Sequence, residues 1–350
     1  MAPKVVLVTG VSRALGSRVA ARLASDESVE RVIGVDTVAP KGEMLGVLGR
    51  TEFVRADIRN PLIAKVIATA GVDTVVHMNV LATPFGAGGR SSMKEMNVIG
   101  TMQLLAACQK APSMQRLVLR STTTVYGSSP RDPALFTEDT EPKALPRSGY
   151  GKDAVEIEGY VRGFARRRPD VSVAVLRFAN FLGPLWDTPL TRYLTLPVVP
   201  TVLGYDPRLQ FVHVDDGLEV LHRATVESHE GVFNVAGPGT LLLSQAVRRA
   251  GRVALPLPEG ATATIGSFVR RSGLVDFSPE QARFLAHGRV VDISRLRDVI
   301  GYEPKFTTPA AFDDFVRSRD LASVLSPENV ATAERTVLGW IARARRTVRA

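Results

Sequence analysis

Cysteine is nearly absent from the 350-residue chain: Cys108 stands alone, which excludes an intramolecular disulfide and any cysteine-based zinc site. A single thiol suits a reducing compartment, so a cytoplasmic location is expected. The five histidines are scattered without metal-ligand spacing, and no metal is expected. No apolar run reaches the roughly 18 residues of a membrane span. The N-terminus runs directly into an apolar strand, so no signal peptide is expected. Low-complexity tracts and internal repeats are also missing, so the composition is that of a globular protein with ample apolar surface for a core. Acidic residues are in deficit: 44 lysines and arginines against 35 acids give a formal charge of +9. That excess fits either an anionic partner or a solvated basic surface. No aromatic-interleaved basic stripe accompanies it, so nucleic acid is not expected as a partner.

What is present is concentrated at the N-terminus, in Lys4 to Arg22, KVVLVTGVSRALGSRVAAR. Val5 to Val8 reads as a strand buried on both faces, and Leu15, Val19 and Leu23 give the next segment helical periodicity. A strand, a tight turn at Thr9-Gly10 and a helix together aim backbone N–H groups and a helix dipole at one point, where a phosphate fits. Gly10 makes the turn and Gly16 lets helix and strand approach. The middle glycine of the usual fingerprint is missing, and Arg13 and Ala14 stand in its place. Gly10, Ser12, Arg13, Ala14, Leu15 and Gly16 are therefore the candidate phosphate-binding residues, with Arg13 facing either a phosphate or solvent.

Further strands follow at regular intervals. Arg31 to Val35 ends on Asp36, 20 residues after Gly16, where a carboxylate can accept from the adenosine ribose hydroxyls. Asp36 would repel the extra phosphate of NADP and argues for NAD, whereas Arg13 keeps NADP open. Glu52 to Arg55 leads to Asp57 and Ile58, placed for the edge and the face of adenine. Thr74 to His77 leads to Asn79, and a helix is expected from Met93 to Lys110. Gly100 inside that helix costs roughly 1 kcal/mol relative to Ala, which points to close packing there. Arg116 to Arg120 runs into Ser121-Thr-Thr-Thr-Val-Tyr126, whose hydroxyls either serve a reacting oxygen or are ordinary strand residues. Alternating strands and helices imply right-handed crossovers and a parallel sheet, with ligands at the carboxyl ends of the strands.

Together these segments resemble the short-chain dehydrogenase/reductase superfamily, in its extended branch of NAD-dependent epimerases and dehydratases. The resemblance covers about 230 residues: the Gly10–Gly16 loop, Asp36, Asp57-Ile58, His77, Asn97-Val-x-Gly-Thr101, Val125-Tyr-Gly127, Tyr150-Gly-Lys152, Arg177-Phe-x-Asn180, Phe211-Val-His213-Val-Asp215-Asp216 and Phe233-Asn-Val-Ala-Gly237. It implies a Rossmann-type doubly wound α/β fold and NAD as cofactor, with Asn97 among the cofactor residues. It also implies Tyr150 as general acid/base, Thr122 as the hydroxyl on the same substrate oxygen, and Asn180 on the substrate. Arg208 stands one position from the arginine that holds an anionic substrate, with Leu209 in its place. Thr123-Thr124 replaces the Asp-Glu pair of dehydratases and disfavours dehydration.

One position breaks the pattern. The family has lysine four residues after the tyrosine, and this chain has Ala154. A phenol of pKa about 10 must be brought nearer neutrality to act as a base, and a cation one helical turn away serves that purpose. Lys152 lies about 200° around a regular helix from that position and would substitute only if residues 150–153 formed an irregular turn.

The expected organisation is a Rossmann domain over 1–184, with 211–237 returning to it. A smaller substrate-binding part covers 185–210 and 238–320, and a basic amphipathic helical tail covers 321–350. That tail carries five arginines against two acids, with Trp340 beside Val337 and Ile341. It would pack on its own protein, on a sister subunit in a homodimer, or peripherally on an anionic membrane. The leading expectation is an NAD-dependent epimerase acting on a nucleotide sugar, of the UDP-sugar 4-epimerase type. Two alternatives stay open: a catalytically impaired dinucleotide-binding scaffold or redox sensor, and a sterol-type hydroxyl dehydrogenase.

Overall fold

Val6, Leu7 and Val8 have no exposed surface, and the strand they form, β1 (Val5–Thr9), lies in the interior of a parallel sheet. The computed structural model describes residues 3–78, 80, 89–258 and 279–321. Asn79 and residues 322–350 of the basic tail fall outside these described residues. The strands flanking β1 are β2 (Arg31–Asp36), β3 (Glu52–Arg55), β4 (Thr74–His77), β5 (Arg116–Thr122), β6 (Ser172–Phe178) and β7 (Gly231–Val235). Their spatial order is β3-β2-β1-β4-β5-β6-β7, and every neighbouring pair is parallel. The order reverses between β1 and β4, which opens a crevice at their carboxyl ends. This is a Rossmann-like α/β fold.

Helices α1 (Ala14–Ala24), α2 (Ile63–Ala70), α3 (Gly100–Lys110), α4 (Gly149–Arg167) and α5 (Val214–Val226) cover the sheet. One apolar layer joins α1 and α5 to the sheet through Val19, Leu23, Val118 and Leu221. The other joins α2, α3 and α4 through Leu7, Ile67, Leu104 and Val161. A third cluster, with Tyr193, Phe211, Phe312 and Phe315, builds the region beyond the sheet. There Asn180–Leu182 pairs with Phe211–His213, and Val198–Val202 pairs with Val253–Leu257. No helix among the described residues is long and apolar enough to cross a membrane.

The helix expected from Met93 to Lys110 has more structure than its periodicity suggests. It begins at Gly89, passes through a π-helical segment at Glu95–Ile99 and continues as α3. Gly100 sits at that junction, and a Cβ there would lie 2.9 Å from the Ile58 side chain. Close packing is thus the reason for this helical glycine.

Part of the positive charge is spent inside the fold. Arg168 donates to the carbonyl oxygens of Cys108, Gln109, Ala111 and Met114, closing the end of α3. Arg50 does the same for Ala24, Asp26, Val29 and Glu30 after α1. Asp215 and Asp216 lie in the first turn of α5, and Asp216 is buried and accepts from Tyr302 and from the Lys305 and Phe306 amides. It therefore fastens residues 302–306 to the start of α5.

Two buried polar clusters make testable contributions. His77 is fully enclosed between Thr9 Oγ1 (2.9 Å) and Thr101 Oγ1 (2.8 Å), and burial pushes its pKa from 6.5 down to about 4. The unfolded chain binds this proton below about 6.5 while the native chain resists until about 4, so stability falls as pH drops through that window. The loss amounts to about 3 kcal/mol. Urea denaturation at pH 7.5 and pH 4.5 measures it, and His77→Gln is expected to flatten the difference. Glu158 is buried on α4 and pairs with Arg177 on β6 at 2.7 Å while accepting from Ser121 at 2.6 Å. Burial works against the Arg177 charge, but Glu158 outweighs it and holds the guanidinium above its ordinary pKa. Arg177 also donates to the Tyr126 hydroxyl, which donates to Asn234 Oδ1 (2.8 Å each). Glu158→Gln leaves a buried cation short of its counter-charge and should cost about 3 kcal/mol in the same assay. Replacing both Glu158 and Arg177 by methionine should recover most of that loss.

Candidate active site

The loop after β1 is shaped by its two glycines. Gly10 has φ +76°, and its N–H donates to the Val35 carbonyl at 2.8 Å. A Cβ on Gly16 would stand 2.1 Å from the Gly10 carbonyl oxygen, so α1 meets the strand at backbone contact. Arg13 is the N-cap of α1 in extended conformation, and neither a side-chain cap nor an acid in the first turn occupies this helix end. Asp36, at the tip of β2, accepts from the Ser12 and Thr37 amides at 3.1 and 2.8 Å. These bonds fix the carboxylate beside the loop, and Ala14, Leu15 and Gly16 follow as the first helical turn. Burial holds the Arg13 guanidinium below its ordinary pKa, Asp36 partly offsets this, and Arg120 adds to it.

The adenine side differs from expectation. Asp57 is gripped by Arg59, with Nη2 to Oδ2 at 2.6 Å, which holds its carboxyl below the usual range against an opposing effect of burial. Ile58 is buried and turned into Gly100, so it backs α3 instead of presenting a face for stacking. Asn97 is also buried, and its Nδ2 donates to Asp153 at 3.0 Å. Asp153 has no exposed surface and takes Arg90 Nη1 at 2.6 Å; Arg90 in turn donates to the Gly149 carbonyl at 2.7 Å. This Arg90–Asp153–Asn97 cluster anchors the start of α4, and sequence periodicity gave no sign of it.

Tyr150 lies in the first turn of α4, and its hydroxyl is buried without a hydrogen-bond partner among the described residues. A buried phenol with nothing to bond marks a place that an oxygen-bearing molecule can complete. Gly151 allows this end of the helix to press on the tip of β5, since a Cβ there would be 2.9 Å from Thr124 Cγ2. Thr122 caps the following 3-10 turn by accepting from the Thr124 amide at 3.2 Å. Thr122 and Tyr150 thus occupy adjoining strand and helix tips, and no hydrogen bond between them is among those described.

Lys152 requires a correction. Helix α4 is regular from Gly149, so the irregular turn is absent, and Lys152 points outward with Glu156 3.9 Å away. Ala154 is 1% exposed and packs in the apolar layer containing Val125 and Phe178. Asn180 is half-buried at the end of β6. Arg208 is exposed and donates to the Ala134 carbonyl at 2.9 Å, on the rim of a cavity of about 500 Å³ lined also by Asp132, Tyr205 and Arg289. A cavity of about 690 Å³ between β3 and α2 lies along the sheet edge and contains neither Tyr150 nor Thr122. Cys108 is buried with its pKa pushed up to about 12, which leaves it unsuited as a nucleophile.

Comparison with known proteins bears on the family and the fold. The sequence profile described as the NAD dependent epimerase/dehydratase family matches residues 6–236. An uncharacterised protein of Mycobacterium tuberculosis is 50% identical over 341 residues, covering 97% of this chain and 91% of the relative. UDP-glucuronic acid decarboxylase 6 of Arabidopsis thaliana is 24% identical, covering 86% and 84% of the two chains. Among solved structures, UDP-glucose 4-epimerase of Thermotoga maritima, determined with UDP-glucose, superposes with TM-score 0.68 at 21% identity over 90% of this chain and 98% of the other. dTDP-glucose 4,6-dehydratase of Bacillus anthracis, in complex with NAD, gives TM-score 0.68 at 19% identity over 91% and 96%.

Proposed function

The chain belongs to the NAD-dependent epimerase/dehydratase family, and from that premise we propose that it binds NAD above the parallel sheet and epimerises a nucleotide sugar. The observation that carries the reading is the Gly10–Gly16 contact at 2.1 Å from a would-be Cβ, with Asp36 fixed beside it. Such a cradle suits a diphosphate followed by an adenosine ribose. The orphan Tyr150 hydroxyl fits a substrate oxygen. NAD, when bound, supplies the hydride acceptor and donor. Tyr150 removes the proton of a sugar hydroxyl and returns it to the keto oxygen, and Thr122 hydrogen-bonds that same oxygen. Asn180 and Arg208 bind the remainder of the substrate, whose diphosphate suits a guanidinium.

A second reading is a dinucleotide-binding scaffold without turnover. Ala154 in the apolar layer and the outward Lys152 favour it, since neither puts a cation beside Tyr150. Incubating the purified protein with NAD and a panel of UDP- and dTDP-sugars, followed by chromatography of the products, separates the two. Interconversion of a pair of epimers supports the enzyme. Bound NAD with every sugar returned unchanged supports the scaffold.

A further inference from the structure

The cleft lacks the family's lysine, yet it is not short of positive charge. Leu117 and Leu119 of β5 face one apolar layer and Val118 faces the other, so Arg120 and Thr122 share the face of Val118. That face carries Arg120 into the crevice where the strand order reverses. Its Nη1 donates to the Val80 carbonyl at 2.9 Å, just beyond the tip of β4, and its guanidinium lies 6.0 Å from the Phe181 ring centre. Its Nε is buried and has no hydrogen-bond partner among the described residues. No described acid forms an ion pair with it, and residues 81–88, which follow Val80, contain no acid in their sequence.

Arg13, the N-cap residue of α1, is near enough to Arg120 for the two charges to act on one another. Asp36, whose charge also acts on Arg13, is engaged by two backbone amides. Two arginine charges that act on one another at an uncapped helix N-terminus make an arrangement that an anion between them would stabilise. Carbonyl and ring contacts hold Arg120 in place without neutralising it.

We propose that Arg120 and Arg13 together clamp the diphosphate of the dinucleotide, so that the cations of the cofactor cleft come from β5 and the start of α1 instead of from the helix bearing Tyr150. The inference rests on the proposed NAD binding. It assigns the arginines to the diphosphate, not to the nicotinamide end, and ADP-ribose distinguishes these positions because it lacks nicotinamide.

The test is calorimetric titration of the intact protein and of Arg120→Gln with NAD and with ADP-ribose, at two salt concentrations. Loss of a charge-assisted contact should weaken both ligands by the same factor, roughly 10- to 100-fold, and reduce the salt dependence. Arg120→Lys, which keeps the charge without the planar fork, should retain part of the affinity and guards against a folding defect in the glutamine variant. Unchanged affinity for both ligands in folded Arg120→Gln overturns the clamp and leaves the NAD reading standing. Weakening of NAD alone also overturns it, by moving Arg120 to the nicotinamide end. Failure of the parent protein to bind either ligand overturns the NAD reading, and the clamp with it.

Discussion

Tyr150→Phe should lower epimerisation by roughly 100- to 10,000-fold, the usual range for removing a positioned acid/base. Its stability should move the other way. The hydroxyl is buried without a partner in the described structure, and an unsatisfied buried polar group costs about 1–3 kcal/mol. Deleting it therefore leaves stability unchanged or raises it by up to about that amount, while the ring keeps its packing on the α2–α4 side of the sheet. NAD affinity should stay within about threefold, because the phenol serves the substrate oxygen and contributes little to holding the dinucleotide. A variant that is dead, folded and NAD-competent would be hard to explain by structural damage. Full activity in Tyr150→Phe would remove tyrosine from the mechanism.

Gly16→Ala should weaken NAD by roughly 100-fold, because the substitution displaces the whole phosphate-binding apparatus. Its Cβ would meet the Gly10 carbonyl oxygen at 2.1 Å and the carbonyl carbon at 2.8 Å. Neither atom belongs to a flexible side chain, so α1 must withdraw by about an ångström, the scale of misplacement that disables a positioned site. The amides of Ala14 and Leu15 move with it, and so does Arg13. Gly10→Ala is a useful contrast. It forces a residue with a side chain to φ +76°, which strains the turn by about 1–2 kcal/mol but leaves the helix approach intact. Thermal melting beside calorimetry separates lost binding from lost folding. Binding by Gly16→Ala within tenfold of the parent would mean that ligand recognition does not depend on this contact.

The parts of the site that were readable in advance are those fixed by local geometry. Gly10, Gly16 and Asp36 lie at a strand end and a helix start, where residue type and spacing determine backbone conformation directly. Gly100 was readable for the same reason, as a glycine with no local excuse. Lys152 followed from helical angle alone, and the regular helix from Gly149 turns it outward. Asp57, Ile58 and Asn97 were not readable, because their orientations are decided by Arg59, Gly100 and Asp153 from elsewhere in the fold. Arg120 and Glu158 were missed, although a signal existed. Arg120 and Arg177 interrupt otherwise apolar strands, and a charge inside a strand covered on both faces must meet a partner or a ligand. Arg177 met Glu158. Arg120 has no such acid among the described residues.

The arginine excess has a similar lesson. Arg50 and Arg168 count towards the net positive charge, yet they satisfy carbonyls in the turn after α1 and at the end of α3. Net charge by itself therefore does not distinguish an anionic partner from charge used within the fold.

The most direct test of the central claim is a paired calorimetric titration of the intact protein with NAD and NADP. Asp36 is held beside the loop by two amides, where it suits ribose hydroxyls and repels a phosphate in their place. NAD is expected to bind with one-to-one stoichiometry and at least tenfold more tightly than NADP. Binding of neither dinucleotide, or tighter binding of NADP, would contradict the account.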